Sequence, residues 1–407
     1  MLTCGRKCIL LNFQYTLLTM LYWSGYAVIF GYVSAYLSGK GLSNTMIGIV
    51  TAVVAIASTI LQPLTASMIE RGKKSALRNT IMVEALIFTV TDILLLAVHA
   101  FPLALIILLY AILLIVLQIM TPLLNAVGTI SMQLGLAINY GLARGFGSGT
   151  YSLTSFLAGK LTGRYGIDVI PVLPGIAFAL LLVLLIMNRE KLAGLSHASA
   201  GAEKATVART SLMKKYPSFF IVLIGAICLH TAHMNLNTFG FQIVQNKGGG
   251  TEELGLAIAI ASASEVPMMM LFGLFRKRLK PVMWPFLAGI FYIIRTIGTM
   301  LTPGVAGFYV MQALQMFSWA LLAVSSVFYV SSVVNPDDEV RGQAAFSTTL
   351  TIGSIISSFL GGMLLDTSGF NGMMVFSIIA AVAGTIIIGS QVFSKDTVHE
   401  QKSYAAV

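Results

Sequence analysis

Long apolar stretches separated by short polar or basic clusters recur along the whole chain. The pattern predicts twelve membrane-crossing helices, at about 9–38, 45–69, 76–99, 102–128, 138–163, 168–188, 217–245, 252–275, 281–301, 304–333, 342–366 and 370–394. Most are long enough as helices to cross ~30 Å of hydrocarbon. The stretch 254–274, LGLAIAIASASEVPMMMLFGL, holds one charged residue, Glu265, and ends just before Arg276, Lys277, Arg278 and Lys280. At ~1.5 Å per residue Glu265 stands ~16 Å above that basic cluster, close to mid-membrane. A carboxylate there costs ~2.5–3.5 kcal/mol on insertion scales. A glutamic acid hydrogen-bonded between helices is the plain reading, and the cost favours a functional one.

Connections between spans are short except at 189–216, which carries six basic residues and divides the chain into a six-helix bundle over 1–188 and another over 217–394, with a tail at 395–407. Phe156-Leu157-Ala158-Gly159-Lys160-Leu161 recurs as Phe359-Leu360-Gly361-Gly362-Met363-Leu364, an offset of 203 that also pairs Gly166 with Gly369. An offset near half the chain fits two parallel six-helix repeats. With the N-terminus inside, nineteen basic residues fall on inner segments, whereas Lys40, Lys160, Arg164 and Lys247 fall outside. This asymmetry predicts a multi-pass protein of the cell membrane with both termini in the cytoplasm.

Composition agrees: 57% of the 407 residues are hydrophobic and 10% charged, against ~25% charged in soluble domains. The net charge of +10 follows membrane topology and implies no nucleic-acid partner. Cys4, Cys8 and Cys228 form no CxxC pair and no disulfide framework. The apolar run after Arg6 and Lys7 is too long for a signal peptide and reads as a retained first span.

Polar residues inside the spans are the candidates for chemistry. Arg295 lies ~22 Å along its helix from Lys280, so it and Glu265 differ in depth by ~6 Å, within reach of two long side chains. A permanent ion pair and a pair broken during transport both fit. His230 and His233 share a helix face. His230 is level with Glu265 and is a candidate proton or substrate ligand, while packed histidines are the simpler account of His233. No third ligand stands at matching spacing, so no metal site is expected. Asn235 and Asn237 offer amides suited to hydroxylated solutes. Glu84 and Asp92 interrupt the third span; structural pairing is favoured, with Asp92 the deeper. Tyr22, Tyr26 and Phe30 form one stripe beside Trp23, equally suited to packing or to stacking on a sugar or base. Gly145, Gly147 and Gly149 after Arg144 are no phosphate loop and let helices approach closely. Pro267 is a candidate kink.

Gln62-Pro63-Leu64-Thr65-Ala66-Ser67-Met68-Ile69-Glu70-Arg71-Gly72-Lys73-Lys74 resembles the helix 2–3 signature of the major facilitator superfamily, with Glu for the usual Asp, Ala66 for Gly and one residue fewer before Gly72. Within it the chain is similar to the lactose permease group of proton symporters and their nucleoside-carrying relatives, over most of its length. The likeness is clearest at 45–74, at Tyr140-Gly141-Leu142-Ala143-Arg144-Gly145-Phe146-Gly147, around Glu265, at Arg295-Thr296-Ile297-Gly298 and at Gly369-Phe370-Asn371-Gly372. The resemblance implies that Arg144 is the sugar-gripping arginine, Glu265 the helix 8 acid, Arg295 the helix 9 arginine and Tyr151 a stacking aromatic. It implies a cytoplasmic gate of Glu70, Arg71, Lys73 and Lys74. The carboxylate that partners the helix 5 arginine falls on Asn125, and the helix 10 coupling histidine and glutamate fall on Gln315 and Ser318. These departures argue against lactose itself and for a simpler proton route.

The expectation is an all-α transporter and not an enzyme. No HExxH or GxSxG motif and no long soluble domain speak for an intramembrane enzyme or a receptor. A proton-coupled importer of a sugar, glycoside or nucleoside is favoured, with substrate contacts at Tyr22, Trp23, Tyr26, Asn125, Arg144, Tyr151, His230, Asn235 and Glu265. Coupling falls to Glu265, Arg295, His230 and Asp92. The alternative is a drug/proton antiporter, whose helix 5 proline is absent from 145–163. The proton gradient stands in place of a cofactor, and the expected partners are a small solute, protons and the bilayer, with the chain acting as a monomer.

Overall fold

The computed structural model describes residues 6–72, 75–97, 102–133, 138–187 and 212–392. These residues contain helices and turns and no strand. Among the described residues nine helices are long and apolar enough to cross a membrane, and ten if Leu11–Gly31 and Val33–Gly39, bent by 49°, form one span. The expected twelve additionally take Tyr140–Tyr165, of spanning length but rich in Gly, Ser and Thr, and divide Glu339–Val392 at Gly369, where φ is 69°. Pro267 lies inside the continuous helix Thr251–Phe275. Hydroxyls within the bilayer-length helices fold back on their own backbone, as Thr59 does on the Ala55 carbonyl and Thr385 on that of Ala381. That satisfies a donor which lipid cannot.

The chain forms two compact units. The first comprises 1–42, 53–205 and 250–259. In it Arg6–Gly31 packs on Tyr140–Tyr165 and Val172–Met187, and Ala76–Ala97 on Leu103–Gln133 and Val172–Met187. Phe88 and Phe178 stack at 3.6 Å in its core. The second comprises 43–52, 206–249 and 260–407. There Pro217–Thr238 and Met283–Leu301 pack on Glu339–Val392 around Phe219, Leu229, Phe272 and Tyr292.

The internal repeat has a physical basis in each unit. In the first, a Cβ on Gly159 would lie 3.0 Å from the Gly255 Cα and from the Thr251 and Glu252 carbonyl oxygens. In the second, a Cβ on its counterpart Gly362 would overlap the Asn44 carbonyl, and one on Gly48 would overlap that of Ser358. Both repeats thus keep a glycine where a second helix begins against their backbone. Gly166 and Gly369 share the left-handed conformation, at φ 86° and 69°, which side chains disfavour.

The basic end of the second unit carries a clamp. Asp338 accepts from Lys215 Nζ at 2.6 Å, Tyr216 Oη at 3.2 Å and Arg341 Nη1 at 2.8 Å. The Lys215 hydrogen bond holds the Asp338 carboxyl below the usual carboxylate range, and the same bond raises the Lys215 ammonium. A depressed folded-state pKa contributes stability above the unfolded value, and that stability is lost as pH falls through the folded one. Asp338→Asn is therefore expected to melt below wild type at pH 7, with the gap closing below about pH 4, where the wild-type aspartate also protonates. A gap independent of pH in thermal melts would refute the clamp.

Candidate functional site

The second unit holds a buried polar chain. Arg295 is 0% exposed and has an apolar helix, Met283–Leu301, to carry it. Its Nη2 donates to Gln315 Oε1 at 2.5 Å and also to Gln312 Oε1. Gln315 Nε2 in turn donates to Glu265 Oε1 at 2.5 Å. A guanidinium only donates and a carboxylate accepts, so the amide between them has one workable orientation: oxygen to Arg295, nitrogen to Glu265. Gln315 thus carries polarity between the two charges without itself offering an ionisable proton. Its position is defined by the short 3₁₀ turn Leu314–Met316, which separates Val305–Ala313 from Trp319–Val333.

His233 extends the chain. Arg295 Nη1 lies 3.4 Å from His233 Nδ1, and the His233 Nε2 lies 2.7 Å from the Asn237 amide. Because the guanidinium donates, Nδ1 accepts in that contact. Trp319 stacks on the His233 ring at 4.5 Å with 7° between planes, which fixes the ring. His230, one turn earlier, pairs its Nδ1 with Thr349 Oγ1 at 2.9 Å. Asn235 is fully buried and accepts from Ser357 Oγ at 2.9 Å. Its amide lies on the packing face toward Gly361.

The first unit holds an aromatic and cationic cluster. The Arg144 guanidinium sits 4.1 Å from the Trp23 ring centroid, a cation–π contact that orients it. Trp23 is 5.1 Å from Tyr26 and 6.2 Å from Tyr151, and Tyr26 stacks on Phe30 at 5.1 Å. A Cβ on Gly147 would come within 2.7 Å of the Trp23 ring, so that glycine makes room for the indole. Tyr140 Oη donates to Asn125 Oδ1 at 3.1 Å. Tyr22 is buried, and its hydroxyl is committed to the Leu117 carbonyl at 2.7 Å and to Thr121. Tyr15, Thr19, Tyr22, Trp23, Asn125 and Arg144 line one small pocket.

Other predicted residues lie apart from these clusters. Asp92 is 0% exposed, faces Gly175, and has no hydrogen-bond partner on either oxygen. Glu84 leaves Oε2 unpartnered. Glu70 and Arg71 are exposed at a helix end, while Lys73, Lys74, most of the 189–216 linker and the 395–407 tail fall outside the described residues. Gln312 and Trp319 escaped the sequence reading. Their signal was an amide one turn from Gln315 and an indole one turn beyond it, both inside an apolar span.

A family model, the MFS_1 like family, matches residues 12–378. The chain belongs to that family. This MFS_1-like protein is a membrane transporter of the major facilitator fold and not an enzyme. Its fold is similar to the crystal structure of nucleoside transporter NupG, at TM-score 0.76 and 15% identity, covering 94% of this chain and 98% of that one. The peptide transporter POT in complex with sulfate gives 0.71 and 10%, covering 93% of both chains. A bacterial homolog to the human lysosomal transporter Spinster gives 0.65 and 13%, covering 97% of this chain and 96% of that one. No curated protein matches the sequence.

Proposed function

We propose that this MFS_1-like transporter is a proton-coupled symporter that imports a small polar solute with rings or hydroxyls, a nucleoside or glycoside, across the cell membrane, with both termini in the cytoplasm. The observation that carries the reading is the Arg295–Gln315–Glu265 chain, in which Arg295 and Gln315 are buried and Glu265 is half-buried. A charged network inside an apolar bundle is costly, and transporters keep such networks to move protons. Glu265 is its titratable member and takes the coupling role. Arg295 supplies the opposite charge, and His230 and Asp92 are further protonatable groups in the spans.

Solute recognition is assigned to Arg144, Trp23, Tyr26 and Tyr151. Flat rings stack on a base or a sugar face, and the guanidinium donates to hydroxyl or carbonyl oxygens. The similarity to NupG, a nucleoside transporter by name, supports nucleosides as the first class to try. Uptake of radiolabelled nucleosides and glycosides by proteoliposomes is expected to exceed equilibration by at least about tenfold under an inward proton gradient, roughly 1.4 kcal/mol of coupled work. It should fall to equilibration when an ionophore collapses the gradient. Accumulation unaffected by the ionophore would refute proton coupling.

A further inference from the structure

We propose that the second unit carries a separate site for an oxyanion, a phosphate or carboxylate group, at the ends of its helices opposite Arg276–Lys280. The site is a cavity of about 420 Å³ whose lining includes Lys247, Asn246, Ser368 and Asn371. On the orientation proposed above it opens on the outer face.

Lys247 is the centre of the argument. It is 8% exposed, with Nζ donating to the Thr302 carbonyl and lying 5.6 Å from the Phe370 ring centroid. An ammonium has three N–H donors, and Thr302 takes one of them. Lys40 and Lys160, placed in the same set of loops by the charge pattern, pair with Asp168 and Glu252. Lys247 has no carboxylate within ion-pair distance among the described residues, and the cavity lining contains no acidic side chain. Burial lowers the Lys247 pKa from the ordinary lysine range, an effect that a bound anion opposes.

Two further features favour an anion. The chain turns at Gly369, φ 69°, and re-enters helix at Phe370, so the positive end of that helix dipole borders the cavity. Asn246 and Asn371 in the lining carry side-chain amides, whose N–H groups donate to an oxyanion. Pro303 and Met300 complete an apolar side, which suits an anion attached to carbon. A phospholipid headgroup and a soluble anion share this chemistry.

The test has two arms on the full-length protein. Calorimetric titration with inorganic phosphate and with acetate reads soluble anions. Native mass spectrometry after partial delipidation from phosphatidylglycerol or phosphatidylcholine nanodiscs reads lipid. In the arm that matches the source, Lys247→Gln is expected to weaken binding at least tenfold, about 1.4 kcal/mol, or to retain one phosphatidylglycerol fewer. Lys247→Arg should restore binding. Asn371→Leu, which replaces an amide of the lining by an apolar group and leaves the lysine in place, should weaken it as well, and serves if Lys247→Gln does not fold. Absence of binding in both arms, or binding indifferent to Lys247→Gln and Asn371→Leu, overturns the site.

Discussion

Glu265→Gln is expected to abolish uphill accumulation while leaving solute exchange across the membrane intact. The glutamine keeps the shape of the side chain, and its Oε1 still accepts from Gln315 Nε2, the bond that Glu265 makes at 2.5 Å. What it removes is the proton. In the proposed cycle Glu265 protonates as solute binds, and the loaded carrier changes state without a bare carboxylate entering a dry environment, which would cost several kcal/mol. A permanently neutral residue can pass through those states in both directions but cannot harvest a gradient. The two measurements are counterflow in proteoliposomes and accumulation under an imposed pH difference. Loss of exchange as well would place Glu265 on the solute. Accumulation at the wild-type level would remove Glu265 from coupling and leave Asp92 and Glu84 as the next candidates.

The second large effect is expected at Gly48. A Cβ there overlaps the Ser358 carbonyl oxygen, and the Gly362 Cα lies 3.5 Å away. These neighbours are backbone, so no rotamer change makes room. Gly48→Val is expected to force the helix beginning at Asn44 off the Ser358–Gly362 surface and to cost more than ~3 kcal/mol, a fall in melting temperature of about 5 °C or more. A cysteine at position 358, buried in the native packing, should then react with a maleimide at least about tenfold faster. Gly273→Val is the control, since nothing lies within 4 Å of its Cβ position. Native melting with an unreactive cysteine in the Gly48→Val background would show that the contact is not needed.

The helical plan was legible because lipid allows little else: long apolar runs bounded by charge have one reading. Tyr140–Tyr165 was the hard case, since its Gly, Ser and Thr lower any apolar average taken over its length. Depth arithmetic put Glu265 and Arg295 near one level. It could not show that Gln315 stands between them, because a neutral amide in a span looks the same whether it bridges charges or faces a neighbour. Likewise Asn235 reads as a free amide in sequence, and its partner Ser357 comes from a helix more than a hundred residues away. Contacts of that range are set by tertiary packing and leave no periodicity to detect. The glycine repeat was visible as letters, and its meaning came from the carbonyls that press on it.

The make-up of the two units also sets an order for biosynthesis. Residues 43–52 belong with a unit otherwise made after residue 205, and 250–259 belong with the unit made first. A ribosome adding ~5–20 residues per second delivers Gly255 within several seconds of closing the first bundle. It delivers Ser358 and Gly362 on the order of 15–60 s after Gly48. Through that interval the glycine face of the second span has lipid or insertion machinery for a neighbour. A chain stopped near residue 200 therefore lacks the segment its own bundle needs, and its Gly159 face is left open to proteolysis or to pairing with another nascent chain.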